Sequence, residues 1–245
     1  RDRVEHHRWG TNLALAYGLD HPTRIVGNWL HVQQDDLPDL GLPNIRDFSM
    51  LGSGLERRVA PVDYSNFYGY STDYRDVTAD IVTVRFNHDF SDRARMMSQF
   101  RYGRSYIDAI VSAPRIFGQS NSIPVGGAPQ PLLAITPATM INGLQKPRTQ
   151  TDTLWANQTS LTTVLPVAGM THTLVQGFDL SRERNFNRRR LDINGPAYSL
   201  FNPGFVAAPP IAFQGTRAQV TTETVAVFVF DNIEFSPMWE ANLGL

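Results

Sequence analysis

This chain predicts an all-β fold, an antiparallel up-and-down transmembrane β-barrel segment of about eight strands with long extracellular loops. Two observations carry that expectation. Segments of roughly ten residues alternate apolar with polar side chains, and the connections between them run short, long, short, long. The short ones are Gly18–Arg24, Phe90–Arg93, Pro166–Thr171 and Ser236–Met238; the long ones are about Gln34–Arg75, Ile107–Thr149 and Glu183–Thr216. A soluble sandwich has little reason to sort its connections by length. A membrane barrel does, because alternate connections lie on opposite sides of the bilayer, with tight turns in the periplasm and large loops outside.

The strands are readable in order. In Thr11–Tyr17, Leu13, Leu15 and Tyr17 share one face and Asn12, Ala14 and Ala16 the other, a clean period of two. In Asp80–His88, Val82, Val84 and Phe86 oppose Thr83, Arg85 and Asn87; in Arg93–Tyr102, Met96, Phe100 and Tyr102 oppose Arg95, Gln99 and Arg101. Arginines at alternate positions require a wet second face, which a barrel lumen or the open side of a soluble antiparallel sheet supplies. Leu154–Leu165 is rich in Thr, Asn and Gln, a poor composition for a soluble core strand. Leu174, Phe178 and Leu180 share a face opposite Gly177 and Asp179. Thr221–Phe230 is the most apolar segment, and Trp239, Ala241, Leu243 and Leu245 alternate with Glu240, Asn242 and Gly244.

Composition narrows the class. The net charge of −1, from 22 basic and 23 acidic residues, argues against a general nucleic-acid binder. Cysteine is absent, which excludes a disulfide scaffold, a Cys-based zinc site and a Cys nucleophile. No stretch approaches the ~18 consecutive apolar residues of a spanning helix; the longest apolar run, Val225–Phe230, has the length of a strand. Mean hydropathy is slightly negative, as suits strands that alternate between lipid and water. The chain opens on Arg1 without a leader and stops at Leu245 inside a strand pattern, so a piece of a longer precursor is expected.

Most candidate chemistry has a plainer explanation. The adjacent His6 and His7 point to opposite faces of a strand, and no His-x-x-x-His or His-Glu-x-x-His spacing exists, so no metal site is expected. Asp35, Asp36 and Asp39 lack the remaining ligands of a calcium loop. Gly52-Ser53-Gly54 and Gly126-Gly127 lack the Lys-Ser/Thr of a phosphate loop, and no Gly-x-Ser-x-Gly elbow occurs. Two features remain. An aromatic cluster, Tyr64, Phe67, Tyr68, Tyr70 and Tyr74, runs into Arg75 within a long connection; half of it would serve local packing, and the rest a surface for flat or anionic ligands. A second set, Arg85, Arg95, Arg101 and Arg104 with Arg182, Arg184 and Arg188 to Arg190, is expected either to neutralise nearby carboxylates and lipopolysaccharide phosphates or to form a basic path for an anionic solute.

Several stretches together resemble TonB-dependent siderophore receptors. They are Asp2-Arg3-Val4-Glu5 with Arg8-Trp9-Gly10; Trp29-Leu30-His31-Val32-Gln33-Gln34-Asp35-Asp36-Leu37-Pro38-Asp39 with Gly41-Leu42-Pro43; Asn157-Gln158-Thr159; Gly177-Phe178-Asp179-Leu180-Ser181-Arg182-Glu183; and Trp239 to Leu245. Asn66-Phe67-Tyr68-Gly69 with Asp73-Tyr74 and Asp76 is similar to the catecholate-type branch. The resemblance implies that residues 1–245 are part of a larger, 22-stranded barrel, with the plug domain and the C-terminal strands outside this chain. It implies an outer-membrane receptor for ferric siderophore, not an enzyme. Ligand would be held by Tyr64, Phe67, Tyr68, Tyr70, Tyr74, Arg75, Arg101, Arg104, Arg182, Arg184 and Arg188. No cofactor is implied, iron entering only as siderophore-bound ligand. The implied partners are outer-membrane lipid and lipopolysaccharide, and an inner-membrane energy-coupling complex in the full-length protein, with no nucleic acid. A self-contained small barrel acting as a passive pore or adhesin, and a β-enzyme such as a lipase-like barrel, stay open as alternatives at this point.

Overall fold

The computed structural model describes residues 3–46, 57–116 and 135–245. Its main sheet has nine strands, all antiparallel: β1 (Glu5–Tyr17), β2 (Thr23–Leu37), β5 (Tyr74–Ser91), β6 (Ala94–Ile116), β7 (Met140–Val167), β8 (Met170–Arg190), β10 (Phe213–Ser236) and β11 (Trp239–Gly244) lie side by side in that order, and β9 (Ile193–Ser199) pairs with the upper part of β7. A small hairpin of β3 (Asn44–Arg46) and β4 (Arg57–Val59) lies within the connection from β2 to β5. Among the described residues β1 and β11 do not pair with one another, so the sheet is an open wall. That matches the expected part of a larger barrel.

Alternation in the sequence becomes two faces through the register. Directly opposed residues of antiparallel strands share a face. Leu15, Gly27, Val84 and Phe100 therefore stand in one outward row, and Leu13, Trp29, Val82, Tyr102 and Trp155 in the next. Large apolar side chains on this face are left uncovered, with Leu15, Val225 and Val227 all near 80% exposed. A soluble protein rarely shows so large an apolar surface; against lipid it is the buried side. The other face carries Asn12, Asn28, Thr83, Arg85, Gln99, Arg101, Gln158 and Asp179, the wet inner wall. The row of Trp29, Tyr102 and Trp155 continues on β8 and β10 as Arg182 and Glu223. The apolar band thus ends lower on β8 and β10 than on β2, as it must when strands cross a bilayer obliquely.

Two turns explain how the short connections close. At β7–β8 both turn residues, Ala168 and Gly169, have positive φ (52° and 80°), the backbone that matches the twist of a two-residue hairpin. At β1–β2, Gly18 (φ 70°) accepts a hydrogen bond from the His21 N–H at 2.9 Å, and a Cβ on it would stand 2.3 Å from the Thr23 carbonyl oxygen.

The strands exceed expectation at the other end. β7 has 28 residues, β10 has 24 and β6 has 23, where roughly ten suffice to cross a membrane. Much of what reads as long connection is paired strand, including Pro114 and Pro147. Outside the bilayer both faces of a strand meet water, so the apolar–polar period that betrays a membrane strand fades.

The facing predicts a sharp contrast between neighbours. Val84→Arg puts a charge on the lipid face near the middle of the band and is expected to cost about 2–4 kcal/mol. Thr83→Arg, one residue away but lumenal, is expected to be nearly neutral. Yield of assembled, heat-modifiable protein in membranes checks both; equal yields would reverse the facing.

Candidate functional site

A cavity of about 640 Å³ opens on the inner wall at the end bearing the long connections. That volume suits a small-molecule site. Its β6 wall is apolar, from Ile107, Ala109 and Val111, of which Ala109 and Val111 stand level with Arg148 and Lys146 of β7. Its rim is charged, because one lumenal row runs Asp36, Arg75, Ala109, Arg148 across β2, β5, β6 and β7, with Lys146 one step above. Arg8 and His6 reach in from β1: Arg8 Nη2 donates to Asp36 Oδ2 at 3.2 Å, and His6 Nδ1 lies 3.1 Å from Asp36 Oδ1. Burial by itself would push the Asp36 carboxyl up, but hydrogen bonds from His6, Arg8 and Gln34 outweigh it and hold the carboxyl below its usual range.

The remaining cations of the rim differ. Arg148 donates through Nε and Nη2 only to the neutral Gln150 Oε1, at 3.2 and 2.9 Å. Arg75, Lys146 and Arg148 have no carboxylate partner among the described residues. By contrast, lumenal Arg24 and Arg95 near the short turns both close on Asp89. The mouth therefore presents uncompensated positive charge beside an apolar wall, which is what an anionic ligand with flat apolar rings would need.

Of the residues expected to hold ligand, Arg75 alone lines this cavity; His6, Asp36 and Asp39, weighed in sequence only as metal ligands, line it too. Arg101 faces the lumen but lies far below: its ladder partner Thr83 is eight residues down β5 from Arg75, roughly 27 Å at the usual rise per residue. Its Nε donates to Thr83 Oγ1 at 3.3 Å. Arg104, Arg182, Arg184 and Arg188 belong to the outward rows and point away from the cavity, contrary to the expected path for a solute. Strand alternation is the reason: Arg104 falls on the side of Tyr102, and Arg182 and Arg184 on the side of Leu180. Arg8, Lys146 and Arg148 were missed, and His6 was considered only for a metal site. They sit on strands beyond the apolar band, and only the inward parity of their positions could have found them.

The aromatic cluster is mostly a core. Phe67, Tyr68 and Tyr70 are 4%, 0% and 0% exposed, against an expected ligand surface; Tyr64 is exposed and lies apart from them. Tyr68 and Tyr70 pack with Ala60, Val62, Ile141, Tyr198, Leu200 and Ala208, tying the β2–β5 connection to β7, β9 and the segment after β9. The Tyr70 hydroxyl donates to the Pro196 carbonyl at 2.7 Å and accepts from the Gly143 N–H at 2.8 Å. The Tyr68 hydroxyl donates to the Leu200 carbonyl at 2.7 Å. The Tyr74 hydroxyl donates to Asp108 at 3.2 Å and accepts from Arg190 at 3.0 Å, so it too is occupied within the structure.

Asp73 pins this core to β6. Its Oδ2 accepts from the N–H groups of Tyr70 (3.1 Å) and Ser112 (3.0 Å), and its Oδ1 from the Ser112 hydroxyl (2.8 Å). Burial pushes its carboxyl up to about 6, against the opposite pull of these hydrogen bonds. The folded core thus binds the proton more tightly than the unfolded segment, whose carboxyl titrates near 3.8. Stability from this group is fully present below 3.8 and is lost as pH rises through 6, about 3 kcal/mol in all. Protease cleavage of the outer connections should therefore slow as pH falls from 7 to 5, and Asp73→Asn should flatten that dependence.

The stretches Gly52–Gly54 and Gly126–Gly127 lie outside the described residues. Among the described residues no group of three or more His, Asp or Glu is arranged to hold a metal ion.

Comparison with known proteins agrees with this architecture. The family model described as TonB dependent receptor-like, beta-barrel, matches residues 8–245. The catecholate siderophore receptor Fiu of Escherichia coli O157:H7 is 29% identical over 255 residues, taking in 100% of this chain and 32% of that protein. The probable TonB-dependent siderophore receptor PiuA of Acinetobacter baumannii is 24% identical over 269 residues, taking in 99% of this chain and 33% of that protein. The crystal structure of the ferric-catecholate import receptor Fiu from E. coli K12 superposes with a TM-score of 0.81 at 26% identity, covering 100% of this chain and 34% of that one. The chain spans about a third of the length of these relatives. With residues 8–245 of its 245 matched by the family model, the chain belongs to the TonB-dependent receptor β-barrel family of the Gram-negative outer membrane.

Proposed function

We propose that this chain forms part of the barrel wall of a receptor that takes up ferric siderophore of the catecholate type, and that it contributes part of the outer ligand-binding mouth. The observation that carries the proposal is the convergence of Arg75, Lys146 and Arg148, without carboxylate partners among the described residues, on one cavity with an apolar wall. Catecholate oxygens around ferric iron carry net negative charge, and their rings are flat and apolar. The cations would neutralise the complex while the rings lie against Ile107, Ala109 and Val111. Iron is cargo held by the siderophore, so the protein needs no metal ligands or cofactor of its own.

No bond is made or broken in this reading, and the chain is not an enzyme. Release into the periplasm would draw on an inner-membrane energy-coupling complex acting on the full-length protein. The test is uptake of radiolabelled iron from ferric catecholates by iron-starved cells that lack other catecholate receptors and express the full-length protein. Uptake that requires both the receptor and the energy-coupling complex supports the reading. Receptor-independent uptake, or uptake only of uncharged solutes, sinks it.

A further inference from the structure

A second cavity, of about 340 Å³, shares no lining residue with the mouth. Its floor is the outward face of the upper wall: Tyr74 of β5, Ile110 of β6, Gln145 of β7 and Arg190 of β8. Its roof is the segment from Ala208 to Ile211, between β9 and β10. Thr72 fastens that segment, its hydroxyl accepting from the Ala208 N–H at 3.0 Å and donating to the Ala208 carbonyl at 3.3 Å. Tyr74 is eight residues above Val82 of the apolar band, roughly 27 Å along the strand. The headgroup zone of a bilayer adds only about 5–8 Å on each side of the hydrocarbon. The cavity therefore meets water, not lipid.

Two side chains in its wall are more than nine-tenths buried and incompletely partnered. Gln145 is 1% exposed, and neither atom of its amide makes a hydrogen bond among the described residues. Arg190 has 7% of its side chain exposed. Its Nη1 donates to the Tyr74 hydroxyl at 3.0 Å and its Nη2 to Asp108 Oδ2 at 3.1 Å, while the Phe213 ring centre lies 4.2 Å from its Cζ. Its Nε has no acceptor among the described residues. Buried polar groups are nearly always hydrogen-bonded, because an unpaired one has given up its hydration for nothing. An unmet amide and an unmet N–H in the wall of one cavity together describe what the occupant must offer.

We propose that this cavity binds a small neutral molecule through a primary carboxamide. Neutrality follows from the charges in place. Arg190 already has Asp108 as its counter-ion at 3.0 Å, and no other charged residue lines the cavity among the described residues. An added anion would repel Asp108, and an added cation Arg190. The carboxamide follows from Gln145. Two primary amides pair head to head, each N–H donating to the other's carbonyl, so one ligand group meets both Gln145 atoms. The ligand carbonyl keeps a second lone pair for the Arg190 Nε–H. A carboxylate or a ketone has no N–H to give. The size follows from the volume, which is near the lower end of the roughly 300–1,000 Å³ usual for small-molecule sites. Ile110, Pro209, Pro210 and Ile211 complete the lining and suit a short branched aliphatic body.

The experiment titrates the full-length protein in detergent with three probes of one shape, isobutyramide, isobutyrate and methyl isopropyl ketone, and reads binding by saturation-transfer NMR. Isobutyramide is expected to bind at least tenfold more tightly than the other two, since it alone pairs with both atoms of Gln145. Gln145→Leu should erase that preference. Because it removes an unpaired buried amide, it should also leave the outer core at least as resistant to protease as in the wild type. Ile211→Trp fills the cavity without touching either polar group and should abolish binding of all three probes; it is the second test should Gln145→Leu be cleaved faster. A capped tripeptide with a central glutamine carries the same amide on a body too large for the cavity and should bind more weakly than isobutyramide. Ketone or isobutyrate binding as tightly as the amide would overturn the proposal, as would an amide preference that survives Gln145→Leu or binding that survives Ile211→Trp. Absence of any isobutyramide signal would mean that water alone serves Gln145 and Arg190, and would overturn it equally. Tighter binding of the tripeptide would overturn the assignment of a small molecule.

Discussion

Tyr70→Ala is expected to unfold the outer packed core of the full-length receptor while leaving the membrane ladder assembled. Removing a wholly buried aromatic ring costs roughly 3–5 kcal/mol, and Tyr70 is wholly buried. Two further losses compound it, because the Gly143 N–H and the Pro196 carbonyl lose their shared partner. Tyr70→Phe isolates that second part and should cost about 1–3 kcal/mol. The contact can also be broken from the opposite side. A Cβ on Gly195 would come within 2.4 Å of the Tyr70 ring, and one on Gly143 within 2.6 Å, so Gly195→Val should reproduce the phenotype. Limited proteolysis is the measurement: new cleavage within residues 60–73 and 196–210, with heat-modifiable barrel mobility retained. A loss of the barrel itself would show that the core and the membrane ladder are one cooperative unit.

On the proposed function, Arg75→Glu combined with Arg148→Glu is expected to weaken binding of a ferric catecholate by about 100-fold or more. Two cations that face the cavity become anions, so attraction is lost and repulsion is added at the same place. Salt should separate the two proteins, since wild-type affinity falls with ionic strength and that of the variant rises or stays flat. Arg104→Glu is the internal control, of equal charge change but on the outward face. If Arg104→Glu weakens siderophore binding as much as the double variant does, net charge is responsible and the cavity is not the site.

The membrane-crossing part of the sheet was legible because lipid imposes a strict rule on it. Leu13, Leu15 and Tyr17, or Val82, Val84 and Phe86, announce their face because every second residue must be apolar. The tight turns were legible for the related reason that apolar patterns end on both sides of them. Beyond the band no such rule holds. Lys146, Pro147 and Arg148 read as loop and lie well inside a 28-residue strand, in a ladder that sequence period does not encode. Tyr68 and Tyr70 were visible as aromatics, but the segments that bury them, around Ile141 and Tyr198, are separated from them by some seventy to one hundred and thirty residues. The facing of Arg104, Arg182 and Arg184 was present in the alternation and follows from parity with Tyr102 and Leu180. Charge alone has no direction, and only that parity separates these outward arginines from the lumenal Arg85, Arg95 and Arg101.

The long strands also make one continuous ladder serve two solvents. Its lower part is held by hydrocarbon pressing on Leu15, Val84 and Val227, and its upper part by a water-built core around Tyr70. The same backbone hydrogen bonds pass from one regime to the other without a joint, at the level of Trp29, Tyr102 and Trp155. Swapping the detergent should therefore move only the melting of the lower part, and urea, which enters the aqueous half first, only that of the upper. A calorimetric trace of this receptor should accordingly resolve into two transitions that different additives shift independently.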